Sequence, residues 1–209
     1  MNTTVYLIRH GEIDNPKGIS YGGTLDLPLN SKGRLQMSDL GELLQKEGIR
    51  PNVIYTSHLS RAKESGQILA EKFGINVIED ERLGDNRIPR FAGLTQTEKE
   101  SKFPGRDEFD STLEGHESKE EVLGRMRSAF DDIVKSQEGK TIFIVSHGDP
   151  LKLLLYSLNH FNESEIPSID DLPQIEKGNA IRTVMEESRM IECEFVSPNE
   201  LRDRKGKEL

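Results

Sequence analysis

The sequence predicts an α/β fold: a three-layer sandwich with a mostly parallel sheet flanked by helices and one antiparallel strand late in the chain. Three observations predict it. Short apolar runs, Val5–Ile8, Val53–Tyr55 and Thr141–Val145, alternate with stretches of helical periodicity. The first and last of these runs stop at a polar triplet ending in His-Gly. Two β-like runs near the end, Ala180 to Met185 and Met190 to Val196, lie close enough for a hairpin around Glu187-Ser188.

In chain order, Val5-Tyr6-Leu7-Ile8 reads as a buried strand halted by Arg9-His10-Gly11. Residues 13 to 30, rich in Gly, Asn, Pro and Asp, predict a long loop. Ser31 is the expected N-cap of a helix to about Glu47, with Leu35, Leu40, Leu43 and Leu44 on its apolar face and Gly48 as its stop. A second strand ends at Thr56-Ser57, and a helix from about Leu59 to Phe73 turns Ala62, Ile68, Leu69 and Phe73 inward. Val77-Ile78 makes a short third strand. Residues 84 to 115 carry many charges and few periodic apolar positions, which suits a lid-like insertion or a solvated excursion. A helix from Glu117 to Val134 follows, and then the most apolar strand, ending at Ser146-His147-Gly148. Leu151 to Leu158 predicts a buried helix with Pro150 near its first turn. A polar tail begins at about 198. No internal linker or repeat divides the chain, so one domain over 1–209 is expected.

The 209 residues carry 28 Lys+Arg against 37 Asp+Glu, a formal net charge of −9. Such a chain is poorly suited to bind nucleic acid or an anionic membrane without a local cationic cluster. The single cysteine, Cys193, excludes an internal disulfide framework and a zinc site of paired cysteines. The five His are far apart, which disfavours a metal hydrolase, and no metal or cofactor is expected. The N-terminal residues lack a signal-peptide pattern and no run is long enough to cross a bilayer, so the cytoplasm is the expected location.

With 5 His and 18 Gly, chance gives about 0.4 His-Gly pairs. Two occur, each just past a predicted buried strand. In open α/β sheets that edge is where ligands bind. A third element, Ser57-His58-Leu59-Ser60-Arg61, puts an Arg in the first turn of a helix. The helix dipole there favours anions, so Arg61 is explained by a bound anion or is a plain surface residue.

The ordered set Arg9-His10-Gly11-Glu12, Tyr21-Gly22, Leu25-Asp26-Leu27-Pro28-Leu29-Asn30 with Gly33, Ser57-x-Leu59-x-Arg61-Ala62, Gly115-x-Glu117-Ser118 and Val145-Ser146-His147-Gly148 resembles the histidine phosphatase superfamily, in its phosphoglycerate mutase-like branch. The resemblance implies a phosphoglycerate mutase-like fold and a phosphatase that hydrolyses a small phosphate monoester through a phosphohistidine. It assigns the nucleophile to His10 and the phosphate donors to Arg9, Arg61 and His147. A neutral imidazole at position 10, and one at 147 protonated with the help of the bound dianion, are then expected. The family's proton donor is typically a Glu; by spacing from Leu83 and Gly93, Asp85 takes that position, with Glu12, Glu117 and Glu108 as alternatives. Tyr21, Gly22, Glu117, Ser118 and Gly148 fall in the same motifs and are expected to bind substrate. Asn15 is carried over more loosely, since the family's Asn position is Pro16 here. His116 replaces a family Gly and is expected at the pocket entrance or in a solvated loop.

The expected partner is a small phosphorylated metabolite, not nucleic acid or membrane, and a homodimer is compatible with the sequence. Two other readings stay open: phosphoglycerate mutase-type phosphoryl transfer, and a non-catalytic phosphate-binding module. Mutases of this kind carry basic insertions, whereas this chain has only scattered Arg82, Arg87, Arg90, Lys99, Lys102 and Arg106.

Overall fold

The computed structural model describes residues 1–160, 166–186 and 189–197. The expected turn at Glu187-Ser188 and the tail from 198 lie outside the described residues. The elements are β1 (Thr3–Arg9), α1 (Ser31–Lys46), β2 (Val53–Thr56), α2 (Ser60–Phe73), β3 (Val77–Glu79), α3 (Gln96–Lys102), α4 (Lys119–Ser136), β4 (Thr141–Ser146), α5 (Gly148–Asn159), β5 (Ala180–Glu186) and β6 (Arg189–Val196). The six strands form one sheet in the order β3-β2-β4-β1-β5-β6. β3, β2, β4 and β1 run parallel, and β5 and β6 are antiparallel additions at the other edge.

Alternation along β1 explains the layers. Val5 and Leu7 point to one face and join the apolar residues of α4 and α5, such as Phe130 and Leu154. Tyr6 and Ile8 point to the other and pack with α1 and α2 through Met37, Leu40 and Leu69. β1 and β4 are neighbours, yet the chain leaves β1 for α1 on one face and leaves β4 for α5 on the other. That divergence opens a crevice beyond their carboxyl ends, the usual ligand position in such sheets.

Local chemistry moves several boundaries. Asn30, not Ser31, caps α1: its side chain accepts from Gly33 N. The buried face of that helix is Gly33, Met37, Leu40, Gly41 and Leu44. Leu35 sits half-way round from it and is 65% exposed, contrary to expectation. Ser118 caps α4 through a capping box with Glu121, so the helix starts at Lys119. α5 begins at Gly148, three residues earlier than its apolar run suggests, because His147 already serves as its N-cap residue.

The 84–115 stretch is not a solvated excursion. Ile88, Phe91 and Phe109 are buried in it. It zips onto the 13–30 loop through Gly23 N→Asn86 O, Ser20 N→Leu94 O and Gly93 N→Ser20 O. Among the described residues no helix is long and apolar enough to cross a membrane.

Candidate active site

The strand ladders deliver the two histidines to one spot. Arg9 lies opposite Ser146 in the β1–β4 register, and His10 N continues the ladder to Ser146 O at 3.1 Å. Past the strand ends, the rings of His10 and His147 stand 5.2 Å apart, centroid to centroid, edge to face. Ser57 follows the same pattern at the end of β2, its N bonding to Val145 O. The turn after His10 lies flat on the start of α1. A side chain on Gly11 would collide with Gly33 O, and one on Gly33 with Glu12 O, so both positions need glycine.

His10 is 1% exposed, and its Nδ1 is 2.7 Å from Gly11 O. A carbonyl only accepts, so Nδ1 carries the proton and Nε2 is left with its lone pair. Burial, then the neighbouring His147 and Arg61, hold His10 well below the ordinary imidazole pKa. The ring is neutral, as a nucleophile requires.

His147 is fully buried. Arg61 Nε donates to its Nδ1 at 3.2 Å, and its Nε2 donates to Ser57 Oγ at 2.9 Å. Burial first, then Arg61, Arg125, His58 and Arg9, hold it well below the ordinary range too. In this arrangement Nδ1 of His147 serves as an acceptor.

Arg61 is the hub, and its surface reading is overturned by an exposure of 0%. Its Nη2 donates to Gly22 O and to Asp85 Oδ2, both at 2.9 Å. Its guanidinium lies over the Tyr21 ring, 4.9 Å from the centroid. Ser65 Oγ donates to Arg61 O and accepts from Gly11 N, tying α2 to the His10 turn. The anion that the structure shows beside Arg61 is the carboxylate of Asp85, which also lies 3.6 Å from His147 Nδ1. Arg9 Nη1 donates to Ile175 O, and its buried Nε has no partner among the described residues. Gly148 packs on this guanidinium so closely that a Cβ would come 2.9 Å from Arg9 Cζ.

The structure brings together His10, His147, Arg9, Arg61, Asp85, Tyr21, Gly22 and Gly148. It assigns other work to the remaining expected residues. Asn15 uses both ends of its amide on the Ile19 backbone and braces its own loop. The Ser118 hydroxyl is a helix cap. Glu117, 5% exposed, binds Arg125 at 2.9 and 3.1 Å and accepts from Arg87 N. Glu12 is engaged by Lys177 and Ile13 N. His116 is neither at an entrance nor solvated: it is 6% exposed and packs edge-on against Phe91.

Sequence reasoning missed Arg125. From α4 it donates to the carbonyls of Arg82, Gly84 and Asp85 at 2.9, 2.6 and 3.0 Å. Ser146 Oγ adds a bond to Leu83 O at 2.7 Å. Together they fix the turn that presents Asp85. No local pattern marks a helical Arg reaching 40 residues back.

The family model of the histidine phosphatase superfamily, branch 1, matches residues 5–183. The chain belongs to that superfamily. A probable phosphoglycerate mutase GpmB of Serratia proteamaculans is 33% identical over 160 residues, 72% of each chain. A 2,3-bisphosphoglycerate-dependent phosphoglycerate mutase of Corynebacterium kroppenstedtii is 24% identical, covering 81% of this chain and 82% of its own. Among solved structures, YhfR of Bacillus stearothermophilus superposes with a TM-score of 0.80 at 28% identity, covering 90% of this chain and 94% of its own. A mycobacterial glucosyl-3-phosphoglycerate phosphatase in complex with VO3 gives 0.79 at 25% identity, covering 93% and 98%.

Proposed function

We propose that the protein hydrolyses small phosphate monoesters through a phosphohistidine on His10. The observation that carries this reading is the state of His10: neutral, protonated at Nδ1 by the Gly11 contact, and within one ring's reach of His147 and Arg61. In the first step Nε2 attacks phosphorus and the ester P–O bond breaks. Asp85 gives its proton to the leaving alcohol oxygen. In the second step Asp85 takes a proton from water, the oxygen attacks phosphorus, and the N–P bond breaks to restore His10 and release phosphate. The equatorial oxygens keep their charge throughout, so fixed donors dominate the catalysis. Arg9 has a buried, unpartnered Nε to offer. Arg61 has Nη2, which it would turn from Asp85 to the phosphate, and that turn also frees the carboxyl to act as the acid.

The deciding experiment compares wild type with His10→Ala on p-nitrophenyl phosphate, with acid-labile phosphoenzyme trapped from a labelled ester. Wild type forms it, and the variant loses it together with about 10³-fold or more of the rate. A variant that hydrolyses at the wild-type rate ends the proposal. If neither protein hydrolyses any ester yet wild type binds phosphate, the binding-module reading takes its place.

Mutase-type transfer stays as the second reading because the curated relatives above carry mutase names. Against it, most of the basic residues of the 80–106 stretch are paired with carboxylates. Arg82 pairs with Asp80 and Asp132, Arg90 with Glu114, Arg106 with Asp110 and Lys99 with Glu108. Formation of 2-phosphoglycerate from 3-phosphoglycerate with a bisphosphoglycerate primer would favour the mutase.

A further inference from the structure

Ser57 and His147 leave neighbouring parallel strands side by side. The β2–β4 register sets Thr56 opposite Val145, and Ser57 N carries the ladder one step further, to Val145 O at 3.0 Å. Both residues are 0% exposed, so bulk water reaches neither side chain. A chain of hydrogen bonds runs through them. Leu59 N donates to Ser57 Oγ at 3.2 Å, and His147 Nε2 meets the same oxygen at 2.9 Å. On the other edge of the ring Arg61 Nε meets Nδ1 at 3.2 Å, and Arg61 Nη2 goes on to Asp85 Oδ2 at 2.9 Å. The direction of this chain is fixed. A guanidinium only donates, so Nδ1 is the acceptor and the neutral ring carries its proton on Nε2. Ser57 Oγ therefore accepts twice, from Leu59 N and from Nε2. His10 is the reverse case, because Gly11 O draws its proton to Nδ1. Two buried rings 5.2 Å apart are thus held in opposite tautomers.

We propose that Ser57 is a positioning residue for the reaction: by accepting the Nε2 proton of His147 it keeps the Nδ1 lone pair aimed at Arg61, and so holds the guanidinium that serves the phosphate. This rests on the phosphatase reading above and adds to it a residue that acts through His147. Without the Ser57 oxygen, the Nε2 proton would be a donor with no acceptor in a place closed to bulk water, which is more costly than the bond it replaces is favourable. The ring escapes that cost only by turning over or by moving its proton to Nδ1, and either change takes the acceptor away from Arg61 Nε. Arg61 has little slack to absorb the loss, since its Nη2 is already shared between Gly22 O and Asp85. An accepting oxygen also suits a His147 ring doubly protonated beside a bound dianion, so the same contact serves before and after substrate arrives.

The test reads the ring nitrogens directly. Protein carrying 15N-labelled histidine is examined by long-range proton–nitrogen spectra in phosphate-free buffer at pH 7.5, where burial keeps both rings neutral. The two rings are assigned by their loss in His10→Ala and His147→Gln. Wild type shows His147 protonated on Nε2 and His10 protonated on Nδ1. In Ser57→Ala the His147 pattern leaves the pure Nε2-protonated form, kcat/KM for p-nitrophenyl phosphate falls about tenfold to a hundredfold, and inhibition by inorganic phosphate weakens by a similar factor. Ser57→Thr, which keeps the oxygen, returns the ring pattern to that of wild type and the rate to within about fivefold of it. A wild-type His147 protonated on Nδ1 overturns the proposal, whether or not any variant folds. So does a Ser57→Ala protein with the wild-type rate, and so does one that is slow while its His147 pattern is unchanged, because that loss is general and does not pass through the ring. The spectra need no turnover. A protein that hydrolyses no ester yet shows the ring change has failed as a phosphatase and kept the link from Ser57 to His147. A protein that forms the phosphohistidine while Ser57→Ala leaves the ring unchanged has done the reverse.

Discussion

Arg125→Met should separate the support of the acid-bearing turn from the acid itself. The guanidinium is 19% exposed and pairs with a Glu117 side chain that is 6% exposed. Removing it strands a buried carboxylate, for which about 3–5 kcal/mol is typical. The carbonyls of Arg82, Gly84 and Asp85 lose a charged donor at the same time, although water replaces part of that at a partly exposed site. A net loss of about 4 kcal/mol corresponds to a fall in Tm of roughly 8–16 °C for a chain of this size. Below the new Tm the folded variant should keep most of its phosphate affinity through Arg9. Its kcat should drop by about 10²-fold, because the Asp85 turn is no longer held within the 1 Å that acid transfer needs. Thermal and urea unfolding give the first number, and steady-state kinetics with product inhibition by phosphate give the second. The double variant with Glu117→Gln should recover about half of the stability but none of the kcat. A Tm within about 2 °C of wild type, or a recovered kcat in the double variant, would refute the reasoning.

Three further outcomes follow from the same contacts. His10 and His147 are held below the ordinary imidazole value, so below about pH 6.5 the unfolded chain binds more protons and stability falls with pH, by up to about 1.4 kcal/mol per unit for each ring. Glu108 and Asp149, whose native values are raised, protonate first in the native state and soften that slope; urea unfolding from pH 7.5 to 5.5 checks it, and a flat profile contradicts it. Tyr21, its phenol pushed up to about 12 mainly by burial, acts through its ring under Arg61, so Tyr21→Phe should keep kcat/KM within about threefold while Tyr21→Ala loses about five- to thirtyfold. Asp85→Asn should lower turnover of an alkyl ester by about 10²–10⁴-fold and spare p-nitrophenyl phosphate by at least about tenfold, because nitrophenolate leaves without a proton; equal losses on both esters would remove the acid role.

The parts of this fold legible in sequence are those in which one physical pattern dominates. Buried strands read as apolar runs, and the sheet's geometry then places whatever follows them, so His10 and His147 could be paired from two His-Gly steps. Arg61 could be suspected because a cation in a helix's first turn opposes the dipole. What escaped depended on partners distant in the chain. Arg125 has no local signature, and its three carbonyl partners lie 40 to 43 residues upstream. Ile88, Phe91 and Phe109 are buried without periodicity, and Phe109 reaches the core cluster of α4 and α5 from outside any regular element. Motif membership also overstates contact. Glu117 and Ser118 sit side by side in a motif, yet one anchors Arg125 and the other caps α4.

Among the described residues Arg61 has more partners for its donors than Arg9, and that asymmetry orders what a phosphate can do on arrival. Arg61 already spends its donors on Gly22 O, Asp85 and His147. Arg9 Nε is buried and has no partner among the described residues, so it is a donor that an oxygen can take. A dianion therefore gains most at Arg9 first. Taking Nη2 from Asp85 comes at the expense of an existing ion pair, and it is favourable only for a ligand placed well enough to replace that bond. The exchange would leave Asp85 without its cation next to an incoming dianion. Under the proposed mechanism, binding and the freeing of the Asp85 carboxyl are then one event, governed by a single guanidinium. Replacing Arg61 with Lys should uncouple the two, since an ammonium lacks the fork that holds Gly22 O, His147 and the anion together.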